Sequence, residues 1–486
     1  MSAKSDRTEN KKRFRIWQGI LAATALLVLC FCGFTASRAI DFKKNQTARE
    51  LSAQEFADLG NYLISQYPEK YNYLKALPYN ISQPQLDVWA RSAILIDVSN
   101  GNILYEKNAD AVIPPASMTK LFAMYVVEEE VAAGRLSYDQ VIPLPPESWA
   151  CNMPPHSSLM FLGQGQRVTL EELLLGLSIC SGNDAAYALA YAVCGSMEEF
   201  VERMNQAAAE LGLNNTHFVE SSGYSEKNQT TAREMAVFAA AYLRRHPESL
   251  HRFHSVLDFT YPKARNLAPG DKLRAQDFSQ GLPAKITMSI TQENTNPLLG
   301  KLEGCDGLKT GYIDESGYNL TLTAVRGQTR FLSVTMGGPG SNAKEGQAGR
   351  VHDGSELMEW AFKNFADYSL ELKVHSYLVR SFNSSEKMLS LIPAWKEQTF
   401  TVPYVTGSNM SENLDAVRVE VKLPDFCWGE LEQGRQYGSI VISIDDYVLE
   451  EIPLVADRSL EKGNLFTAMS DSLISNVIAS RRRSNP

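Results

Sequence analysis

The stretch "IPPASMTKLFAMYVV", residues 113–127, places Ser117 and Lys120 three positions apart at the start of an apolar run. The run predicts a helix, on which residues i and i+3 share a face, so the ammonium group of the lysine can reach the serine hydroxyl. By itself the S-x-x-K pattern is also consistent with an ordinary helix start that carries a solvated lysine. The rest of the sequence decides between a nucleophile beside its base and that simpler interpretation.

Two further motifs follow in the chain. Ser181-Gly182-Asn183 falls in a break between two predicted helices, and Lys309-Thr310-Gly311 enters a predicted strand. Each motif is weak alone. Together, in this order and in these structural settings, the three match the signature of penicillin-binding proteins and class A β-lactamases.

The chemistry explains why these residue types are needed. A serine hydroxyl is a poor nucleophile without an adjacent base, and a lysine is a base only when burial or a neighbouring cation lowers its pKa. The apolar neighbours Leu121 and Phe122 can bury Lys120, and Lys309 is the candidate second cation. The sequence therefore suggests the hypothesis that Lys309 keeps Lys120 neutral.

Length and composition limit the class of protein. A chain of 486 residues exceeds one ordinary core, so we expect two folded domains plus additional segments. Hydrophobic residues make up 44% and charged residues 21%, which is typical of a globular protein. The formal net charge of −9, without a long basic stripe in the main body, argues against a nucleic-acid partner.

The N-terminal segment indicates membrane targeting. Residues 1–15 form a basic tail, and residues 16–36 carry no charge. At ~1.5 Å per residue a helix over 16–36 spans a hydrocarbon layer of ~30 Å, and the basic flank places its N-terminal side in the cytoplasm. A signal peptide cleaved after "SRA" (37–39) is the alternative, but the apolar run is longer than is typical of a signal. We favour a retained membrane anchor. Both interpretations place the body on the extracytoplasmic (periplasmic) side.

The pattern after the anchor predicts a stalk and a main domain. Residues 37–87 are expected to form a partly helical stalk, and residues 88–366 the main domain. Within the main domain, strand patterns flank Ser99-Asn100-Gly101, helical runs follow, and strand patterns return from about residue 303 before a closing helix. Three of the helical runs begin with capping-box patterns, at Thr169, Ser196 and Thr231. This order predicts an α+β fold with helices packed on an antiparallel sheet.

The C-terminal part has a different pattern of apolar and polar residues. Short alternating stretches over 367–460 predict a small β-rich domain. Residues 461–486 predict an amphipathic helix with a basic end at Arg481–Arg483, and its apolar stripe consists of Leu465, Met469, Leu473 and Val477. Such a helix either packs on the protein or lies in the surface of a membrane.

The cysteines and histidines give no metal-binding pattern. Five of the seven cysteines lie outside the apolar run without C-x-x-C spacing, and we expect them to be buried small hydrophobic residues. His246, His251 and His254 do not form H-E-x-x-H and are predicted to be surface residues. We therefore expect neither a metal nor an organic cofactor.

From about residue 88 to 366 the chain resembles the serine D-alanyl-D-alanine carboxypeptidases, the low-molecular-mass penicillin-binding proteins. The segments that carry the resemblance are "ASMTKL", "SGNDAA", "ELGLNNTHFVE", "TTARE", "DGLKTGY" and "SGYNL". It continues weakly into the C-terminal part, where the family has a β-rich module followed by an amphipathic membrane helix. The resemblance thus implies a penicillin-binding/β-lactamase-like α+β domain followed by a small all-β domain.

The resemblance also implies roles in catalysis. Ser117 would be acylated by the carbonyl of the penultimate D-alanine of a peptidoglycan stem peptide, with Lys120 as the proton acceptor. Ser181 would relay a proton toward the leaving nitrogen. The backbone N–H groups of Ser117 and Tyr312 would form an oxyanion hole, in which each donor is worth roughly 3–4 kcal/mol.

Further residues would bind the substrate. The resemblance implies that Asn183 holds the substrate amide, and that Lys309 and Thr310, with Gly311 on the same strand, face the terminal carboxylate. Arg350 is the candidate for the family's late arginine near that carboxylate. Many family members have His at the position of Tyr312, so the side-chain contacts there are open, as is the role of an apparent insertion at 264–287.

Related activities compete with carboxypeptidase action. A class A β-lactamase would need a glutamate in an E-x-x-L-N loop, but Glu220 is followed by Ser-Ser-Gly, and the second motif has Gly182 where the lactamases have Asp. A DD-endopeptidase or transpeptidase would use the same site, and only its products distinguish it. In every case β-lactam antibiotics are expected to act on the nucleophilic serine, and in the carboxypeptidase they are covalent inhibitors. A non-enzymatic binding protein would need a broken motif, and all three motifs are intact.

Overall fold

The structure, a computed structural model, describes residues 2–44, 51–68, 73–81, 84–269, 289–370, 376–395, 399–403 and 417–483. The chain divides into two compact units. The large unit comprises residues 72–368 and 399–410, and the small unit comprises residues 1–71, 369–398 and 411–486. Residues 270–288, which hold most of the predicted insertion at 264–287, lie outside the described residues.

A six-stranded sheet organises the large unit. Its strands are β1 (Lys75–Ala76), β2 (Ser92–Asp97), β3 (Asn102–Lys107), β8 (Cys305–Ile313), β9 (Gly317–Arg326) and β10 (Thr329–Gly338). Their order is β1-β3-β2-β10-β9-β8, and all pairs are antiparallel except β1 with β3. The hairpin predicted around Ser99-Asn100-Gly101 is confirmed, because β2 and β3 pair across that turn.

Three short strand pairs, with two to five residues in each strand, and six helices complete the large unit's regular structure among the described residues, apart from short helical turns. The short strands are β4 (Val141–Ile142), β5 (Val168–Thr169), β6 (Asp258–Tyr261), β7 (Ile290–Glu293), β11 (Phe365–Ser369) and β14 (Thr399–Pro403). The helices are α3 (Thr119–Ala132), α4 (Leu170–Ser178), α5 (Asn183–Cys194), α6 (Met197–Glu210), α7 (Ala232–Arg245) and α8 (Ala343–Asn364).

Helices cover the sheet on both faces. α8 packs against β9 and β10, while α7 packs against β2 and β10. β10 is buried along nearly its whole length, as expected for a strand with protein on either side. The predicted α+β organisation, with helices packed on an antiparallel sheet, is confirmed.

The predicted helix starts are also confirmed. Thr169, Ser196 and Thr231 are N-caps whose side chains accept a hydrogen bond from the N–H group three residues later. At Thr169 the glutamate three residues on completes the reciprocal bond. These caps satisfy N–H groups that would otherwise lack partners, and so the sequence fixes where α4, α6 and α7 begin.

The prediction for the histidines was only partly right. His251 is exposed, but His246 and His254 are 3% and 0% exposed. His254 lies between the hydroxyl groups of Tyr242, at 2.9 Å, and Ser178, at 3.3 Å. Because both ring nitrogens have partners, the imidazole is accommodated in the core.

A second six-stranded sheet forms the body of the small unit. Its strands are β12 (Tyr377–Phe382), β13 (Met388–Pro393), β15 (Val417–Lys422), β16 (Cys427–Trp428), β17 (Gln436–Ile444) and β18 (Tyr447–Ala456), in the order β15-β17-β18-β13-β12-β16. The β-rich C-terminal domain predicted from the alternating pattern is therefore present in this unit.

Three helices accompany the second sheet. They are α1 (Ser2–Lys44), α2 (Ala53–Gln66) and α9 (Leu465–Arg483). The segment expected to be a stalk is not a separate element: Leu59 and Leu63 of α2 pack with Ala394 and Val455 of the small unit, whereas β1 belongs to the large unit. Burial of those apolar side chains explains why α2 joins a core.

Part of α1 is suited to a membrane. Within the described residues, Arg13–Ala39 is the one helical segment long and apolar enough to cross a bilayer. Its apolar side chains are exposed, as Leu21, Leu27 and Leu29 illustrate. This composition is that of a membrane anchor or a signal sequence.

Candidate active site

Ser117 lies in a tight turn, Ala116–Met118, that leads into α3. Ala116 has a φ of 50°, in the left-handed region that residues with a Cβ rarely adopt, so the turn carries backbone strain. Met118 is fully buried in the core, whereas Ser117 is only half-buried. The turn therefore fixes the backbone while leaving the serine hydroxyl accessible.

Lys120 lies on the first turn of α3 and is fully enclosed by the protein. Its Nζ donates hydrogen bonds to Ser117 Oγ at 2.9 Å, to Asn183 Oδ1 at 2.8 Å and to the carbonyl oxygen of Ser222 at 2.5 Å. The i, i+3 spacing predicted that the lysine amine can reach the serine hydroxyl, and the two groups are within hydrogen-bond distance.

Charges around the two motif lysines set their protonation. Burial lowers the pKa of Lys120 to about 7, and the negative charges of Glu220 and Asp184 oppose that shift. The pKa of Lys309 lies well below its usual range, because that side chain is buried and is repelled by Lys120 and Arg350. The hypothesis that Lys309 keeps Lys120 neutral needs correction: burial is the main cause, and the repulsion between the lysines disfavours protonation of Lys309.

The second motif occupies the break between α4 and α5. Ser181 has a φ of 57°, again in the left-handed region, and Asn183 is the first residue of α5. The amide of Asn183 joins two parts of the site, since Oδ1 accepts from Lys120 and Nδ2 donates to Ser157 Oγ at 3.1 Å. The side chains of Ser181 and Asn183 are both buried.

Asp184, which sequence reasoning missed, anchors a neighbouring loop. Its carboxylate accepts hydrogen bonds from the backbone N–H groups of Met160 and Leu162, each at 3.0 Å, and the residue is fully buried. A Cβ at position 182 would lie 2.7 Å from Asp184 Oδ1, which explains why Gly182 stands in the middle of the motif. The available signal was one acidic residue in the mostly apolar helix sequence "NDAAYALAYAVC".

The third motif lies in β8, the edge strand beside the turn that carries Ser117. A Cβ on Gly311 would lie 2.4 Å from the carbonyl oxygen of Pro115 and 3.2 Å from Met118 N. Only glycine allows β8 to come this close to the turn. Lys309 and Thr310 are buried on the same strand, and Thr310 Oγ1 donates to Thr295 Oγ1 at 2.8 Å.

Arg350 and Tyr312 are the two remaining predicted site residues, and both lie beside Gly311. Arg350, on α8, donates to the carbonyl oxygens of Gly311 at 2.6 Å and Asn319 at 3.0 Å, so it braces β8 and β9. Tyr312 is 45% exposed, and its ring stacks on that of Tyr318 with centroids 4.3 Å apart. This stacking is the side-chain contact that the resemblance left open for Tyr312.

Sequence reasoning also missed Ser222. Its contribution to the site is a backbone carbonyl oxygen, which no side-chain pattern reveals. The loop that contains it includes Glu220, which was considered only as a failed match to a β-lactamase motif.

A buried amine hydrogen-bonded to a serine hydroxyl has the arrangement that a nucleophile and its base require. The remaining groups of the site are a second buried lysine on an edge strand and a serine in a strained turn. Such an arrangement can acylate its serine with a substrate that carries a negative charge beyond the reacting carbonyl.

The chain was compared with known proteins. A family model described as D-alanyl-D-alanine carboxypeptidase matches residues 78–340, more than half of the chain. D-alanyl-D-alanine carboxypeptidase DacA of Escherichia coli (strain K12) is 30% identical over 395 residues, which cover 80% of this chain and 87% of the relative. DacF of Bacillus subtilis (strain 168) is 28% identical over 386 residues, covering 79% and 89%.

Solved structures agree with the sequence matches. Penicillin binding protein 5 from Haemophilus influenzae superimposes with a TM-score of 0.62 at 28% identity, covering 79% of this chain and 100% of that one. The D-alanyl-D-alanine carboxypeptidase DacD from Francisella tularensis gives a TM-score of 0.61 at 25% identity, covering 80% and 97%.

Proposed function

The chain belongs to the D-alanyl-D-alanine carboxypeptidase family, and from this premise we propose how its residues perform the reaction. It is a serine-type carboxypeptidase, a low-molecular-mass penicillin-binding protein. It removes the terminal D-alanine from peptidoglycan pentapeptide stems through an acyl-enzyme, the step at which penicillins inhibit it.

In the proposed acylation step, neutral Lys120 accepts the proton of Ser117 as Oγ attacks the carbonyl carbon of the penultimate D-alanine. The developing oxyanion is bound by the backbone N–H groups of Ser117 and Tyr312. Ser181 carries a proton to the leaving nitrogen, the C–N bond breaks, and the terminal D-alanine departs with a free amine. The observation that carries this proposal is the 2.9 Å contact between a fully buried lysine amine and the serine hydroxyl.

In the proposed deacylation step, water hydrolyses the ester on Ser117 and returns the proton balance to its start. The absence of the E-x-x-L-N pattern supports slow hydrolysis of a penicilloyl ester. Glu220, the acidic residue nearest to that pattern, already has both carboxylate oxygens hydrogen-bonded to its own loop. A β-lactamase is therefore not favoured.

Substrate binding is assigned to the strand and the helix on either side of the nucleophile. Lys309 and Thr310 bind the terminal carboxylate, and Asn183 binds the substrate amide. Gly311 lets the strand approach the turn. Arg350 acts from behind the strand, where it holds the Gly311 carbonyl oxygen and adds positive charge near Lys309.

The experiment that tests this proposal measures free D-alanine released from a peptide ending in D-Ala-D-Ala, in parallel with covalent labelling by a fluorescent penicillin. Release with labelling is the expected result. Labelling of correctly folded protein without release would favour the endopeptidase or transpeptidase alternative, which a cross-linked dimeric stem peptide would then identify.

We further propose that the enzyme is held on the extracytoplasmic face of the cell membrane by a retained N-terminal helix, with residues 1–15 in the cytoplasm and 16–36 in the bilayer. Arg38 supports retention, because its guanidinium forms two 2.7 Å hydrogen bonds with the carboxylate of Asp471 on α9, and both side chains are buried. Cleavage after Ala39 would leave that carboxylate buried without its cation.

The C-terminal helix would add a second membrane contact. The buried face of α9 contains Ser470 and Asp471, whereas its large apolar side chains are exposed. The exposed set consists of Leu465, Phe466, Met469 and Leu473. These exposed apolar side chains support the membrane-surface interpretation of residues 461–486. The side chains of Val477 and Arg481–Arg483 lie outside the described part of this helix.

A further inference from the structure

The loop that follows α6 is held together by one carboxylate, that of Glu220. Oε2 accepts hydrogen bonds from Ser222 N at 2.7 Å and Ser222 Oγ at 2.6 Å. Oε1 accepts from Gly223 N at 2.7 Å, Ser225 N at 3.3 Å and Asn228 Nδ2 at 3.0 Å. Five donors on one acceptor-only group fix the backbone of residues 220–225 in one conformation.

The fixed loop contacts the base directly. The carbonyl oxygen of Ser222 accepts a hydrogen bond from Lys120 Nζ at 2.5 Å. Ser222 is flanked by backbone groups bonded to Glu220, so this carbonyl oxygen cannot rotate away while the carboxylate is in place. The position of the Lys120 amine therefore depends on Glu220.

The same loop supports the turn that carries the nucleophile. Gly223 has a φ of +78°, and a Cβ there would lie 1.8 Å from the Ala116 carbonyl oxygen and 2.9 Å from Ser117 N. The glycine backbone is thus packed against the strained turn. Ala116 is held at a positive φ partly by this close contact.

A buried amide ties the loop to α3. Asn228 is fully buried, and its Nδ2 lies 3.0 Å from Glu220 Oε1 and 3.2 Å from Thr119 Oγ1, the residue before Lys120. Its Oδ1 accepts from Val219 N at 2.8 Å. These contacts therefore link the loop to α3.

We propose that Glu220 is a positioning residue for the Ser117–Lys120 pair. Its carboxylate holds the loop that presents the Ser222 carbonyl oxygen to the base and seats Gly223 behind the nucleophile. The inference rests on the proposed function, because it takes Lys120 to be the base.

The negative charge of Glu220 also affects the pKa of Lys120, which a residue with a purely structural role would not change. Burial lowers the pKa of Lys120, whereas Glu220 in the loop and Asp184 on α5 favour its protonated form. Lys309 on β8 also faces this amine, but its own pKa lies well below the usual range. Tyr187, also on α5, is the further titratable group that interacts with Glu220. Replacing Glu220 by a neutral residue lowers the pKa of Lys120, so the base becomes available at lower pH.

The test compares the pH dependence of acylation by a fluorescent penicillin in the full chain and three variants. For Glu220→Gln the midpoint is expected to move to lower pH, and the plateau rate to fall on the order of 10- to 100-fold through misplacement of the base. Glu220→Asp keeps the charge but is one methylene too short for all five donors. Its midpoint is expected to stay near that of the wild type while its rate falls.

Asp97→Asn is the matched control. Asp97 is fully buried and accepts hydrogen bonds from Ser99 N and Thr401 Oγ1, but it lies at the far end of β2 from the site. This variant is expected to lower the melting temperature with an unchanged midpoint and rate.

The outcomes separate the inference from the proposed function. A Glu220→Gln profile that overlays the wild type, with a melting temperature lowered as in Asp97→Asn, overturns the inference alone. Full wild-type rate in Glu220→Asp and Glu220→Gln also overturns it. A wild-type profile that is flat through neutral pH contradicts Lys120 as the base, and with it the proposed function. If Glu220→Gln does not fold, the acylation rate of Glu220→Asp tests the inference instead: a lowered rate supports it, and the wild-type rate overturns it.

Discussion

Lys120 Nζ lies 2.9 Å from Ser117 Oγ although the lysine side chain is entirely enclosed by protein. Enclosure costs a charged amine its hydration, so the neutral form becomes accessible near physiological pH. The same enclosure holds the amine against one particular hydroxyl. Proximity and reactivity therefore have a common structural origin in the packing of α3.

Replacing Ser117 by alanine is expected to abolish covalent labelling by fluorescent penicillin, because it removes the hydroxyl that the Lys120 amine contacts at 2.9 Å. Intact mass measured after incubation with penicillin checks the result. Ser181→Ala is the control, since it keeps the nucleophile and is expected to label more slowly. A penicilloyl adduct on folded Ser117→Ala protein would refute the assignment.

The acylation rate of the wild type is expected to rise with pH and to level off above a midpoint near 7. Burial lowers the pKa of Lys120 to about 7, so the amine is protonated and inactive below that pH and basic above it. Lys120→Arg stays protonated and is expected to lose on the order of 10²- to 10⁴-fold in rate across the whole range. Stopped-flow labelling at several pH values checks both, and a midpoint close to that of a solvated lysine would contradict the assignment.

Lys309→Ala is expected to lower kcat/KM by ~10- to 100-fold for a peptide with a free terminal carboxylate, through loss of a charge-assisted contact. The amidated peptide serves as the matched substrate, because the wild type should discriminate strongly between the two peptides and the variant weakly. The pH midpoint is expected to stay near that of the wild type, since burial is the main cause of the lowered pKa of Lys120. A midpoint raised by ~1 unit or more would restore the hypothesis that Lys309 keeps Lys120 neutral.

Glu128→Gln is expected to flatten the pH dependence of stability. Burial raises the pKa of Glu128 to about 8 from an ordinary value of 4.5. Between these values the folded state keeps a proton that the unfolded chain releases, so stability falls as pH rises, by at most about 1.4 kcal/mol per pH unit. Across this pH window the melting temperature of the wild type should fall toward that of Glu128→Gln as pH rises, and then drop below it. Parallel curves for wild type and variant would show that the carboxyl ionises freely.

Removal of residues 1–39 is expected to destabilise the small unit, because Asp471 loses Arg38, on the order of 3–5 kcal/mol for an uncompensated buried charge. The same truncation in an Asp471→Asn background should cost less. Thermal unfolding of detergent-extracted protein checks the difference, and the intact mass of protein extracted from membranes should include the N-terminal segment. A mature mass that begins after Ala39 would identify a cleaved signal instead.

The sequence allowed the three motifs, the α+β fold and the helix caps to be predicted, because each depends on local residue type and spacing. The source of the low pKa of Lys120 was not predictable in the same way. Burial of Lys120 depends on how α3 packs, which its apolar neighbours in the sequence indicate only weakly. Too much of the lowered pKa of Lys120 was therefore attributed to Lys309. The burial of His246 and His254 was missed for a related reason, because buried partners such as Ser178, 76 residues before His254, come from a distant part of the chain.

The hydrogen bonds that hold the site residues in place were the least predictable part of the structure. The Ser222 carbonyl is a backbone group, and the five donors on Glu220 belong to a loop without a regular period. Asp184 works through hydrogen bonds to Met160 and Leu162, more than twenty residues earlier in the chain. Contacts of this kind follow from the folded path of the backbone.

The three acceptors around Lys120 Nζ also determine the direction in which the neutral amine reacts. An ammonium group offers three N–H donors, one for each acceptor, and a neutral amine offers two donors and one lone pair. Asn183 Oδ1 and the Ser222 carbonyl oxygen can only accept, so each retains an N–H group. The serine hydroxyl alone can reverse its role and donate. Loss of one proton therefore turns the lone pair toward Ser117, and the site selects its nucleophile by the hydrogen-bonding capacity of the other two neighbours.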